Sequence, residues 1–196
     1  MYPAVPARLF SSVPAGPCEA HTSRSNLRKA LVITLQPITE QNVLIFKAAR
    51  LRALEDTPSA FGATHAKESQ LTDVDWIKRA ARWNGERAVL YLALDGNDAC
   101  GIAGSLLDEA DATRAHLISM WTAPTHRRQG VGRLLVDEIF SWARVRGART
   151  MLLLVTSNND RAISFYKTLG FTVTGRTEPY PNDPALVECE MSRSIP

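Results

Sequence analysis

The chain has 196 residues, of which 45% are hydrophobic and 22% are charged, and its formal net charge at pH 7 is +3. These values are ordinary for a single soluble domain with a buried core. The positive excess is small and is dense only within residues 125–144, which disfavours a nucleic-acid partner and is sufficient for an anionic small molecule.

Residues 1–29 differ in composition from the rest of the chain, with four prolines, several serines and one acidic residue, Glu19. They lack the continuous apolar segment of a secretory signal. We therefore expect a flexible tail over residues 1–29 and one domain over residues 30–196. An organelle transit peptide and an over-long start of the gene are the alternatives for the tail.

Three cysteines, Cys18, Cys100 and Cys189, are far apart and lack the ligand spacing of a metal site. Their odd number and low density fit a reducing compartment, so we expect a cytoplasmic protein without a metal. No run of residues reaches the roughly 18 apolar positions that a membrane helix needs, so we expect no membrane partner.

Apolar periodicity and turn residues divide the domain into strands and helices. The first half is predicted to contain a strand, two helices and three strands, at residues 30–38, 40–54, 72–83, 87–95, 100–108 and 116–124. The second half is predicted to contain a helix, a strand, a helix and two strands, at residues 131–146, 150–156, 157–170, 171–176 and 185–193. This order predicts a mixed α/β domain whose sheet is covered by helices.

The spacing of apolar residues also predicts which side of each helix faces the core. In the first helix this face holds Val43, Leu44, Ala48, Leu51 and Leu54, and in the helix over 131–146 it holds Val131, Leu134, Leu135, Ile139, Trp142 and Ala143. Trp76 is predicted as a core residue, although it, Trp83 and Trp121 are also candidates for lining a pocket. The strand over 150–156 is a continuous apolar run and is expected to be buried on both faces.

Residues 125–136, THRRQGVGRLLV, join the strand over 116–124 to a long helix through two glycines. The first N–H groups of a helix have no partner within it and carry partial positive charge. Gly130 and Gly132 remove side chains there, and Arg127, Arg128 and Arg133 add charge, so the segment is a candidate diphosphate cradle. A helix entry with a solvated basic face is the alternative. The missing Lys-Ser/Thr and the missing third glycine exclude a Walker A loop and the dinucleotide fingerprint.

Two segments together resemble the GNAT family of N-acetyltransferases, namely MWTAPTHRRQGVGRLLV at residues 120–136 and NNDRAISFYKTLGF at residues 158–171. The similarity extends over about residues 31–192. It implies a single α/β domain with a mixed, mostly antiparallel twisted sheet and helices on both faces. In this fold acetyl-CoA lies in a V-shaped gap between two splayed central strands.

The resemblance also implies roles for individual residues. Backbone groups of Met120, Trp121 and Thr122 would contact the pantetheine arm of acetyl-CoA, and Asn159 and Tyr166 would face the cofactor from the later helix. Tyr166 would donate a proton to the CoA sulfur, with aromatic packing in the core as the alternative role. The diphosphate would be held by Arg128, Gln129, Gly130, Val131, Gly132 and Arg133.

The sequence departs from the family at the position of the general base. Many members that acetylate amines carry a glutamate on the strand before the later helix, and Leu154 occupies that position here. The remaining candidates are Glu68, Asp108, Glu109 and His116, or a chain of water molecules. Each of these side chains is also typical of a solvated surface.

We therefore expect an acetyl-CoA-dependent N-acetyltransferase that moves an acetyl group directly to the primary amine of a small molecule or a protein N-terminus. The alternatives are an acyl-CoA-binding regulatory module with little catalysis and a domain that binds a nucleotide through the same loop. The sequence does not specify the acceptor. Many members of the family pair through edge strands, and residues 185–193 would serve this purpose in a homodimer.

Overall fold

The computed structural model describes residues 32–196 of the chain. These residues fold around one mixed sheet. The predicted tail over residues 1–29 lies outside the described residues. Eight strands form the sheet: β1 (Ile33–Pro37), β2 (Asn84–Gly85), β3 (Ala88–Asp95), β4 (Asp98–Leu107), β5 (Arg114–Thr122), β6 (Thr150–Thr156), β7 (Thr172–Pro179) and β8 (Val187–Ser194). Their spatial order is β1-β3-β4-β5-β6-β8-β7, with the two-residue β2 paired to β3.

Five helices accompany the sheet: α1 (Val43–Asp56), α2 (His65–Glu68), α3 (Asp73–Trp83), α4 (Val131–Val145) and α5 (Asp160–Thr168). Two short 3-10 turns, Pro58–Ala60 and Pro124–His126, each begin at a proline. The predicted order of the main elements is confirmed, and α2, β2 and the two turns are additions that the sequence pattern did not indicate. No helix within residues 32–196 combines the length and the apolar character that crossing a membrane requires.

The pairing register assigns strand residues to two sheet faces, because side chains alternate along a strand and paired residues share a face. Trp121 lies on the face that we call the front, where its Nε1 donates to Asp56 at the end of α1 over 2.9 Å. Gly101 lies on the opposite, back face, where an added Cβ would be 2.9 Å from Leu135 of α4. Helices therefore cover both faces, as predicted.

The two central strands, β5 and β6, form the one parallel pair of the described sheet and pair only between residues 114–116 and 150–152. Farther along, β5 stays with β4 through a bulge, since Gly104 pairs with Ile118 but Ile102 pairs with Trp121. Ser119 in the bulge has a φ of +53°. The strands therefore diverge into the V-shaped gap that the family resemblance implies.

The expectation that β6 is buried on both faces is wrong at Leu154. Leu154 is 40% exposed, whereas Leu153 and Val155 on the back of the strand are buried. Leu154 lies on the front, beyond the last residue of β6 that pairs with β5. The departure of β5 leaves this part of the front face uncovered.

Two predicted helix faces are also partly wrong. Leu44 and Leu134 are 56% and 44% exposed, and Phe46 and Phe140 are buried in their helices instead. In α1 the buried residues also include Arg50, which is not part of the predicted core face. The position of the buried ion partner Glu68, in α2, makes a charged residue tolerable on the inner side of α1. The core position of Trp76 is confirmed.

Close packing between the back of β4 and α4 predicts the effect of one substitution. An alanine Cβ at position 101 would lie 2.9 Å from Leu135 Cδ1 and 3.0 Å from the Trp121 carbonyl oxygen. Since a backbone oxygen cannot move aside cheaply, Gly101→Ala should lower the free energy of unfolding by about 1–3 kcal/mol in urea denaturation. Gly62→Ala is the control, because its nearest neighbour would be at 3.4 Å. Equal effects of the two substitutions would contradict the packing argument.

Candidate functional site

The loop between β5 and α4 lies at the open end of the gap. It presents a group of backbone N–H donors that no described protein group accepts from. No backbone or side-chain acceptor of the described residues bonds the N–H groups of residues 128–133. Gly130 is the N-cap of α4 with a φ of +89°, and Arg128 has a φ of +62°. The left-handed backbone at Arg128 is unfavourable for a residue with a side chain. Successive amides in such a turn form an anion-binding concavity.

Glycine is favoured at the two positions of this loop for different physical reasons. A Cβ at Gly130 would meet nothing within 4 Å, so glycine is favoured there by the positive φ. A Cβ at Gly132 would lie 3.1 Å from Phe165 of α5 and 3.2 Å from Met120 of β5. Glycine at position 132 therefore allows α4 to approach α5 and β5 closely. Packing within the protein explains the glycine at this position.

The three arginines of the loop are placed differently. Arg127 forms an ion pair with Asp56 and donates from Nε to the Thr122 carbonyl oxygen over 3.0 Å. Arg128 and Arg133 are exposed and form no ion pair with any residue of the described range. Gln129 donates from Nε2 to the Thr125 carbonyl oxygen over 2.7 Å and so closes the loop. Arg127 thus ties the loop to α1, while the charges of Arg128 and Arg133 remain open to an anion.

Asp56 links three elements, because it lies at the end of α1 and contacts both Trp121 of β5 and Arg127 of the loop. Burial alone would raise the pKa of Asp56, but hydrogen bonds from Trp121 and Thr57 and the Arg127 guanidinium together hold it below its ordinary value. The carboxylate is therefore ionised throughout the neutral range and keeps Arg127 in place.

The segment from Met120 to Thr122 lies where β5 has left β6. Trp121 is still paired with β4 and its ring packs on the front face, while the Met120 side chain reaches Gly132 on the back. Toward the gap, this segment has no neighbouring strand in the described sheet. Its backbone is therefore accessible to a ligand that lies in the gap.

Asn159 and Tyr166 both belong to the region of α5. The Asn159 side chain caps the helix, because its Oδ1 accepts from the Ala162 N–H over 3.1 Å. Tyr166 is buried against Phe165 and Phe171, with ring centroids 5.4 and 5.7 Å apart. The Tyr166 hydroxyl has no hydrogen-bond partner among residues 32–196. Burial raises the pKa of this phenol, so the hydroxyl keeps its proton at neutral pH.

The candidate proton acceptors differ in the groups that they contact. Glu68 is buried, accepts from Arg50 Nε over 3.1 Å and forms an ion pair with Arg79 at 3.1 Å, so two guanidinium groups balance its charge. Glu109 is exposed. His116 and Asp108 form a pair with 2.9 Å between Nε2 and Oδ2, and the hydrogen bond with His116 lowers the pKa of Asp108.

The register places the His116–Asp108 pair beside the narrow end of the gap. His116 pairs with Leu152, the last contact between β5 and β6, and shares the front face with Leu152 and Leu154. Both members of the pair are partly exposed. An imidazole held by a carboxylate is an arrangement that can accept a proton and stabilise the resulting charge.

Sequence reasoning missed two carboxylates on β8. Glu190 pairs directly with Leu154, and Glu188 pairs with Thr156, so both lie on the front face, one strand away from the gap. Burial and the neighbouring Glu178 raise the pKa of Glu188. Glu190 accepts from Thr174 Oγ1 over 2.8 Å. Only the pairing register reveals these neighbours, because about 35 residues of chain separate them from β6.

Comparison with known proteins gives one consistent result. The model of the "Acetyltransferase (GNAT) family" matches residues 51–171. A [ribosomal protein bS18]-alanine N-acetyltransferase from Escherichia coli is 32% identical over 130 residues, which cover 64% of this chain and 82% of that protein.

Solved structures show the same fold. A GNAT acetyltransferase from Streptococcus pneumoniae superposes with a TM-score of 0.72 at 17% identity, covering 84% of this chain and 100% of the other. A structure from Salmonella typhimurium, determined with its cofactor acetyl-CoA, superposes with a TM-score of 0.69 at 17% identity, covering 84% of this chain and 95% of the other.

The lowered pKa of Asp56 predicts a pH-dependent contribution to stability. A carboxyl group with a depressed folded-state pKa stabilises the fold above its unfolded value of 3.8 and loses this effect as the pH falls. Asp56→Asn should therefore lower the free energy of unfolding by about 1 kcal/mol at pH 7 and by much less at pH 3. Asp73→Asn, in an exposed pair with Lys47, serves as the control. A loss for Asp56→Asn of the same size at both pH values would contradict the assignment.

Proposed function

Because the chain belongs to the GNAT family, whose members are acetyl-CoA-dependent N-acetyltransferases, we propose that it transfers an acetyl group directly to the primary amine of a small molecule or a protein N-terminus. The observation that carries this proposal is the set of unpaired amides at residues 128–133, placed at the open end of the gap between β5 and β6. Family membership favours this function over the two alternatives, a regulatory acyl-CoA-binding module and a nucleotide-binding domain.

The loop residues hold the diphosphate of acetyl-CoA in this proposal. The N–H groups of residues 128–133 supply hydrogen bonds, and the exposed guanidinium groups of Arg128 and Arg133 supply charge. Arg127 acts indirectly, since it fixes the loop against Asp56. The fit is supported by the unsatisfied donors themselves, which the described protein groups leave free.

The gap positions the remainder of the cofactor. Backbone groups of Met120, Trp121 and Thr122 face a space without a strand, and they are suited to pair with the amides of a pantetheine arm. Asn159 shapes the gap from the other side by capping α5. The arm then runs from the loop toward the narrow end of the gap, where the front face is open at Leu154.

The transfer requires movement of one proton away from nitrogen and one toward sulfur. Acetyl-CoA supplies the thioester, the amine nitrogen forms a bond to its carbonyl carbon, and the carbon–sulfur bond breaks. We assign the protonation of sulfur to the Tyr166 hydroxyl, which burial keeps protonated. We assign acceptance of the amine proton to His116, because Asp108 holds it at the narrow end of the gap.

The diphosphate assignment predicts a loss of cofactor affinity when Gly130 is replaced. Gly130→Val forces a β-branched residue toward a different φ and should weaken CoA binding at least about tenfold in calorimetry, because the amides no longer converge. Gly96→Val is a matched control, since Gly96 also has a positive φ of +62° and no neighbour within 4 Å of an added Cβ. CoA affinity equal to that of the unmodified protein in Gly130→Val would contradict the cradle.

The proton assignments predict different kinetic signatures. Tyr166→Phe should lower kcat by roughly 10- to 10⁴-fold with little change in the KM for acetyl-CoA or in thermal stability, because the hydroxyl has no partner among the described residues. His116→Gln should lower kcat and remove the rising limb of the pH–rate profile that reports deprotonation of the base. Steady-state kinetics across pH measures both effects. An unchanged kcat in Tyr166→Phe would overturn the assignment of the acid.

A further inference from the structure

A cavity of about 490 Å³ opens on the front face between α1, α3 and strands β3 to β5. Its floor consists of apolar strand residues, including Leu90 and Leu106. Its polar lining comprises four arginines and two glutamates: Arg50, Arg79, Arg82, Arg87, Glu68 and Glu109. The charged side chains of the wall therefore carry a positive excess, which favours an anionic occupant.

Arg50 is the most buried of these cations. It is 8% exposed, and its Nε and Nη2 donate to Glu68 over 3.1 and 3.3 Å. Its guanidinium also lies over the Phe61 ring, 4.6 Å from the centroid, so the group is held in one orientation. The third nitrogen, Nη1, is buried and has no partner in the described structure. A buried donor without a protein acceptor is unfavourable, so Nη1 favours an oxygen atom of a ligand or of an ordered water molecule.

Glu68 does not neutralise the cavity, because two arginines share it. Arg79 Nη1 forms an ion pair with its Oε1 at 3.1 Å, in addition to the hydrogen bonds from Arg50. Arg87 donates from Nη2 to the carbonyl oxygen of Asp108, which is a neutral group, and forms no ion pair with another residue of the described range. Together with the orphan Nη1, these contacts describe a site that is prepared for an oxyanion.

The cavity reaches the strand along which the thioester lies in the proposed function. Ser119, the bulge residue of β5, lines it and directly precedes Met120. Its strand floor shares the front face with Leu152 and Leu154, as the register shows. On the far side of the gap the same face carries Glu188 and Glu190. The front face is thus polarised, with arginines on one side of the gap and carboxylates on the other.

We propose that this cavity binds the acceptor and selects a small amine that also carries a carboxylate or a similar oxyanion. The oxyanion accepts from Arg50 Nη1 at the base of the cavity, and the amine lies toward the gap beside Ser119. Free α-amino acids have this arrangement of charges, whereas polycationic amines and lysine side chains do not. The inference rests on the proposed function and names the class of acceptor for that same site.

The test compares α-amino acids with their carboxamides, which differ in the one charge. Pairs with small, aliphatic and aromatic side chains are assayed by CoA release, and the ratio of kcat/KM values for acid and amide is measured. The double variant Arg50→Gln/Glu68→Gln removes the Nη1 donor together with both charges of the buried pair, so the net charge of the cavity wall stays the same while the proposed hydrogen bond to the oxyanion is lost. The acid-to-amide ratio should fall roughly 10- to 100-fold in this variant, the range of a charge-assisted hydrogen bond.

Controls separate charge, folding and function. Arg144→Gln, on the exposed side of α4, should leave the ratio unchanged. The unmodified protein should show a higher melting temperature with the amino acid than with the amide, a shift that disappears in the double variant. If amides, peptides or plain amines are acetylated as well as the amino acids, this inference fails while the proposed function stands. If CoA binds but no amine of any class is acetylated, the proposed function fails and the inference fails with it.

Discussion

The parting of β5 from β6 interrupts strand pairing in the middle of a sheet, where backbone N–H and C=O groups normally have partners. Beyond residues 116 and 152, the gap-facing groups of both strands lose the neighbour that a continuous sheet would supply. The sheet tolerates this opening because β5 stays with β4 through the bulge at Ser119, and β6 stays paired with β8 over its full length. A ligand that carries amide groups can complete the hydrogen bonding at the interruption.

The helices on the two faces of the sheet determine where the charged groups around this opening lie. On the front, the end of α1 provides Asp56, which holds both Trp121 of β5 and Arg127 of the loop. On the back, α4 packs closely against β5 and α5 because position 132 has no side chain. The loop between them is therefore fixed from both sides, and its amides and the exposed Arg128 and Arg133 remain available for an anion.

The order of elements and the covering of both sheet faces could be predicted from periodicity, because long helices and strands impose regular spacing on their apolar residues. The helix phases were harder: Leu44 and Leu134 are exposed, and Arg50 occupies a buried position that only its partner Glu68 makes tolerable. The sequence pattern predicts that Gly132 makes room for a ligand, whereas the neighbour closest to its missing side chain is Phe165. Contacts between distant strands, such as Glu190 beside Leu154, depend on register, which local sequence does not determine.

The central claim is that the backbone amides of residues 128–133 bind the diphosphate of CoA. Two-dimensional NMR of the labelled protein during a CoA titration tests it most directly, because each of these amides gives its own signal. The account predicts that these signals shift the most and that their hydrogen exchange slows, with smaller shifts at the control amide of Gly96. Unchanged signals at residues 128–133 in the presence of bound CoA would contradict it.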